Sequence, residues 1–202
     1  PLNIEEIAAN EGTIPADADA LILARPTSEP SAGAIAVIDA YLRNGGSLFI
    51  MADTQTDFMT EGSPFNQYMW DNWGLRLLEA VAVDDMVSGA TTLDIISAAV
   101  STSEITTSIN PAMTSTFVSI NPDLGPTTAT QFHIARVIEV DETPPVANGH
   151  IIRPAPGSYA ETNLSALFQR NEYAFDEGDD FVGPVTTVAF AEDDENTGAR
   201  IL

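Results

Sequence analysis

Two short, uninterrupted apolar segments flank an amphipathic one near the start of the chain, and this triplet is its clearest pattern. Ala20-Leu21-Ile22-Leu23-Ala24 has the length and composition of a strand buried on both faces, and Ser47-Leu48-Phe49-Ile50-Met51-Ala52 is a second. Between them, Ile35, Ile38, Tyr41 and Leu42 fall on one stripe of a helix that Ser31 caps and Asn44-Gly45-Gly46 stops. Strand, helix and strand joined by short links predict a crossover between parallel neighbours.

Ser63-Pro64 marks a second helix start, with Phe65, Tyr68, Met69 and Trp73 on one face, Trp70 off that stripe, and Gly74 as the stop. An aromatic stripe at helical spacing reads as core. Leu77 to Val83, Thr114 to Ile120, Gln131 to Val140, Gly149 to Arg153 and Val185 to Ala191 are further strand candidates. Between Ser88 and Pro126 the chain turns to Ser, Thr and Ala, and Ser-Ile-Asn-Pro occurs twice, ending at Pro111 and Pro122; this predicts an excursion of short strands and turns. Together the elements predict a single α/β domain over residues 1–202, with a mostly parallel sheet flanked by helices.

Charge narrows the function classes. The sequence has seven arginines, no lysine and thirty carboxylates, a net charge of −23. Such a surface opposes nucleic acid and anionic lipid, and the missing lysine removes P-loop phosphate binding and Schiff-base catalysis. A salt-adapted surface and an ordinary acidic one both account for it. There is no cysteine, so disulfides, thiolate zinc sites and cysteine nucleophiles are excluded. No apolar run approaches a membrane span, and the opening Pro1-Leu2-Asn3-Ile4-Glu5-Glu6 lacks the form of a signal peptide, so this segment is not expected to insert into a membrane itself. A first residue other than methionine, and a stop within the strand-like Ala199-Arg200-Ile201-Leu202, are expected of an excised piece of a longer protein.

Catalytic signatures are missing. There is no G-x-S-x-G, H-E-x-x-H, G-x-G-x-x-G or Walker lysine, and the two histidines, His133 and His150, lie in strand-like contexts. A hydrolase using a distant serine with either histidine is the enzymatic alternative. From Glu172 to Glu195 there are nine carboxylates and no positive side chain, in clusters at 176–180 and 192–195. Neither has EF-hand spacing, so solvated loops are the expectation, with no metal and no cofactor; a calcium-stabilised surface-layer or adhesion module is the alternative. Ligands of a parallel sheet meet it at the carboxyl ends of its strands. That nominates Arg25 and Thr27 after the first strand, and Asp53, Thr54 and Asp57 after the second: Arg25 for an anion, Asp53 with Asp57 for a cation or sugar hydroxyls. The competing reading is local, with Asp53 ending its strand and Arg25 pairing a neighbouring carboxylate.

Ile14-Pro15-Ala16-Asp17-Ala18-Asp19 before the first strand, Tyr41-Leu42-Arg43-Asn44-Gly45-Gly46 at the helix end, Trp73-Gly74-Leu75-Arg76, Ser158 to Leu164 and Asp180 to Val185 follow in an order that resembles the GldG-type auxiliary domain of uncharacterised and gliding-motility ABC transport systems. The likeness covers most of the chain outside 88–126. It implies an extracytoplasmic domain of class I glutamine amidotransferase-like fold with flavodoxin-like layering, related also to a domain of an intraflagellar transport protein, and lacking an amidotransferase nucleophile. It further implies membrane tethering by helices elsewhere in the full-length protein. The implied partners are ABC transporter permease and ATPase subunits or another extracytoplasmic protein, with a small polar ligand as the other candidate. The expected role is non-enzymatic binding or assembly.

Overall fold

The computed structural model describes residues 3–7, 13–54, 59–84, 94–97, 116–118, 126–128, 130–154 and 157–202. In chain order the first half holds β1 (Leu21–Ala24), α1 (Ala32–Arg43), β2 (Ser47–Met51), α2 (Pro64–Trp73), β3 (Leu75–Val83), β4 (Asp94–Ser97) and β5 (Thr116–Val118). The second holds β6 (Pro126–Thr128), β7 (Thr130–His133), β8 (Arg136–Val140), β9 (Ala147–Ile152), β10 (Tyr159–Glu161), α3 (Leu164–Arg170), β11 (Phe181–Val182), β12 (Val188–Asp193) and β13 (Ala199–Ile201). Two compact units share them. The first comprises residues 1–76, 141–148 and 190–202, the second 77–140 and 149–189.

In the first unit β1 and β2 are parallel, with Ile22 opposite Phe49, and α1 connects them. Ser31 sits in extended backbone and accepts the Ala34 N–H, so one orphan donor of the first turn is satisfied. Ala34, Ile38 and Leu42, four apart, are the face α1 buries. Gly45, with φ of 86°, takes the left-handed turn that ends this segment, and Gly46 packs under Tyr41. Ser63 caps α2 through the Asn66 N–H, and Gly74 closes it in the left-handed region. Phe65, Met69 and Trp73 are buried on α2. Trp70, off the stripe, is covered by the Arg76 guanidinium 4.5 Å from its ring centroid.

The two helices meet through polar atoms as well. The Tyr68 hydroxyl donates to Asp39 Oδ1 at 3.1 Å and accepts the Trp73 indole N–H at 3.3 Å, while Arg43 Nε donates to the other Asp39 oxygen at 2.7 Å. Burial pushes the Tyr68 phenol up to about 12, against the Trp73 hydrogen bond, which lowers it; it therefore stays a neutral donor.

The second unit is built on β3. Leu78, Ala80 and Ala82 alternate along one face and pack with Ala135, Val137, Ala160 and Val185. Val81 and Val83, on the other face, are also fully buried, so this strand has protein on both sides. β10 lies antiparallel to it, with Ala160 opposite Ala82, and β11 is antiparallel to β10. Among the low-complexity residues, β4 pairs antiparallel with β7, and β5 with β6.

The mostly parallel, helix-flanked sheet expected from the sequence is not what forms. The strands make a mixed five-stranded sheet, ordered β1-β2-β13-β12-β9, and an antiparallel four-stranded sheet, ordered β11-β10-β3-β8. Only three helices, of 12, 10 and 7 residues, occur among the described residues. The physical reason lies in the connections. A parallel sheet needs a helical crossover per strand pair. After Trp73 the described residues hold one short helix, and neighbours such as β12 and β13 are joined by a tight turn. In that turn the Asp193 carboxylate accepts the Asn196 amide and the Thr197 hydroxyl, and Gly198 adopts φ of 73°. Nor are the first two strands buried on both faces: Ile22, Phe49 and Met51 are 54%, 36% and 45% exposed, while Leu48 is buried. Two smaller differences follow from local backbone. The continuous strand expected over 131–140 breaks at Ile134, which has φ of 55°, and the strand expected at 185–191 begins at Val188.

Candidate functional site

At the carboxyl ends of β1 and β2, the structure brings two of the predicted ligand residues together. Arg25 leaves β1 with φ of 48°, yet its N–H still reaches the Met51 carbonyl at 2.9 Å and prolongs the parallel ladder by one bond. That turn aims its guanidinium at Asp53, with Nε 2.5 Å from Oδ2. The Arg25 side chain is 80% exposed and that of Asp53 18%, so the pair is an ion pair at the rim with its cation in water. Thr27 is exposed in the following bend, and Thr54 is half-buried beyond Asp53. Asp57 lies outside the described residues.

Beside this rim is a residue the sequence reading did not single out. Glu29 accepts the Met59 N–H with one carboxylate oxygen at 2.8 Å and the Phe65 N–H with the other at 2.9 Å. Phe65 belongs to the first turn of α2, where backbone donors and the helix dipole favour an anion. An acidic side chain of the chain itself fills that position.

A second set of polar groups converges in the other unit. Tyr159 and Glu161, two apart in β10, lie on one face of the strand, and the segment after α3 crosses that face. Phe175 meets Tyr159 edge-on, with centroids 5.6 Å apart. The amides of Asn163, at 2.8 Å, and Ala174 donate to the Glu161 carboxylate. Asp180 ties the same segments, accepting the Thr162 N–H and hydroxyl at 2.9 and 3.1 Å and the Asp176 N–H at 2.9 Å. Between them is a cleft of about 320 Å³ lined by Glu161, Asn163, Arg170, Asn171, Tyr173 and Asp176, among others. Glu161 is only 2% exposed. Burial pushes its carboxyl above the usual range, and the charges of Asp180 and Asp176 add to that, against the two amide donors. A trace of this residue is visible in the sequence: a glutamate two positions after a tyrosine in a strand-like word, just before the Thr162-Asn163 helix start.

Of the two histidines in the hydrolase alternative, His150 has a threonine hydroxyl beside it: its Nδ1 lies 2.6 Å from the Thr186 hydroxyl, and Thr186 is 4% exposed. Burial, with the Arg153 charge second, holds the imidazole below its ordinary range. His133 stands opposite Asp94 in the β4–β7 pair. In the two acidic clusters, Asp180 bonds the Asp176 N–H and reaches across to Thr162, while Asp193 is used in the β12–β13 turn. No group of three or more His, Asp or Glu side chains is arranged to hold a metal ion among the described residues.

No family model and no curated protein matches the chain. Among solved structures it is similar to the "mmIFT52 N-terminal domain", with a TM-score of 0.54 and 13% identity over 98% of this chain and 69% of that one. At that identity the likeness is one of fold alone.

Proposed function

We propose that this chain is a non-enzymatic binding or assembly module of an ABC-type, gliding-motility-like transport system, working outside the cytoplasm on a membrane-tethered protein. The observation that carries the reading is the apolar strip on β1 and β2. Ile22 and Phe49 are directly opposed, Met51 follows one pleat further along β2, and all three face solvent on a chain of net charge −23. Large contiguous apolar side chains on an otherwise charged surface favour a protein partner. At the carboxyl end of the strip stand Arg25 and Asp53, the polar rim that such an interface uses around an apolar centre. The occupant in this reading is the extracytoplasmic surface of the transporter permease. The collinear sequence resemblance supports it.

Photo-crosslinking tests it in the full-length protein, in its own membrane. A benzophenone side chain at position 22 or 49 is expected to yield an adduct containing a permease of an ABC transporter. One at position 71, on the exposed side of α2, is expected to yield none. No permease adduct from either strip position, or equal adducts from all three, overturns the reading.

A further inference from the structure

The geometry points to the cleft beside β10 as a binding site for a small organic cation, an ammonium- or guanidinium-bearing molecule, with Glu161 as the carboxylate that receives it. This site lies in the second unit and goes beyond the assembly role. Among the described residues the Glu161 charge has no cation to compensate it. A buried carboxylate is ordinarily paired with a cation, because losing water costs several kcal/mol that hydrogen bonds alone seldom offset. Glu161 is 2% exposed, and none of the seven arginines pairs with it among the described residues. Arg170, which lines the same cleft, is held instead by Glu172, with Nε 2.5 Å from Oε2.

The partners Glu161 does have are two backbone amides, from Asn163 and Ala174. A carboxylate offers about four acceptor positions, so acceptor capacity remains. Glu161 itself forms part of the cleft wall, and Asp176 contributes a second negative side chain to the lining. Asn163, Asn171 and Tyr173 add neutral polar groups able to accept further N–H donors. The volume, about 320 Å³, falls at the small end of ligand sites. The same wall discriminates against an inorganic cation: a hard metal ion takes six or more oxygens, and no such grouping is present among the described residues. A compact organic cation needs one buried carboxylate and a few acceptors, which is what the cleft supplies.

The test uses the chain as it is, at neutral pH and ~0.15 M salt so that diffuse attraction to the acidic surface is screened. Methylguanidinium and n-propylammonium are titrated by calorimetry and by amide NMR. Saturable one-to-one binding is expected, with shifts concentrated at Asn163, Ala174 and their cleft neighbours. Glu161→Gln is expected to weaken it at least ~10-fold, the loss typical of removing one partner of a desolvated charge pair. Asp17→Asn with Asp19→Asn, on the exposed turn before β1, removes equal or greater charge far along the chain and is expected to change nothing. Should Glu161→Gln fail to fold, Asp176→Asn at the cleft wall takes its place, with a smaller loss of ~3-fold expected for a more exposed charge. Absence of saturable binding overturns the proposal. So do undiminished affinity in the cleft variant and shifts scattered over the acidic surface. None of these outcomes bears on the crosslinking from positions 22 and 49, so the two readings fail separately.

Discussion

Glu29 reaches 36 positions along the chain to accept the Phe65 N–H at 2.9 Å, and so anchors the loop after β1 to the first turn of α2. Its second oxygen holds the Met59 N–H at 2.8 Å. Both are hydrogen bonds to a charged group, and one is reinforced by the helix dipole. Met59 and Phe65 are each 1% exposed, so water is poorly placed to replace the carboxylate at their amides when it is removed. Glu29→Ala should therefore lower unfolding free energy by ~2–4 kcal/mol. Glu29→Gln should fall between, since an amide side chain has one acceptor oxygen where two are used. Urea denaturation of the three proteins checks this; a loss under ~0.5 kcal/mol for Glu29→Ala would sink it.

That clamp joins residues 30 and 36 positions apart, so no local sequence signal announces it. Helix limits were legible because their signals are local: Ser31 and Ser63 as caps, Pro64 in the first turn and Gly74 in the left-handed region all act within four residues. The parallel pairing of β1 with β2 was legible for the same reason, a helix of the right length lying between. The rest of the sheet was not, because nothing local in Tyr159-Ala160-Glu161 says that it will pair with Val83-Ala82-Val81, over seventy residues earlier. Apolar runs also misled: Leu21 to Ala24 reads as doubly buried, yet its residues alternate between half-buried and exposed. Of the candidate ligand residues, Arg25 and Asp53 pair with each other just past the ends of β1 and β2, where turns collect such side chains. Glu161 was missed because a buried carboxylate looks like any other glutamate until its surroundings are known.

Gly46 should not accept a side chain. A Cβ there would come within 2.3 Å of the Tyr41 ring, and that ring is fixed at its far end. The Tyr41 hydroxyl donates to the Ala18 carbonyl at 3.2 Å and accepts the Ser47 N–H at 3.3 Å. Tyr41 cannot move aside without losing both contacts, so Gly46→Ala is expected to cost ~1–3 kcal/mol, the range for overpacking. Pairing it with Tyr41→Phe should give less than the sum of the single losses, because the ring is then freer to shift. Strictly additive losses in a double-mutant cycle would count against the clash.

The Arg25–Asp53 pair should matter little to folding. With its guanidinium 80% exposed, Arg25→Ala is expected to change stability by less than ~1 kcal/mol, and by less still at ~1 M salt. A larger loss that persists in high salt would mean that Arg25 holds the turn by something other than charge.

Two groups in the second unit should respond to acid with opposite sign. The Glu161 carboxyl is raised from 4.5, chiefly by burial, so the folded chain holds its proton more tightly than the unfolded one. Its contribution to stability is then most favourable below 4.5 and declines as pH climbs through the raised value, leaving a charged group at a cost at neutral pH. His150 is lowered from 6.5, again chiefly by burial. Its neutral ring is retained at no cost above 6.5, and stability falls as pH drops below that, because the unfolded chain takes up a proton that the folded one resists. Glu161→Gln should accordingly raise Tm at neutral pH relative to the parent, with the gain fading as pH falls and the native carboxyl protonates. His150→Gln, which keeps a hydrogen-bonding partner for the Thr186 hydroxyl, should flatten the fall in Tm below 6.5 without that acid-side convergence. Thermal melts of both variants beside the parent, at half-unit pH steps, decide the matter: a Glu161→Gln difference that stays constant with pH would mean that the carboxylate carries no electrostatic penalty in its cleft.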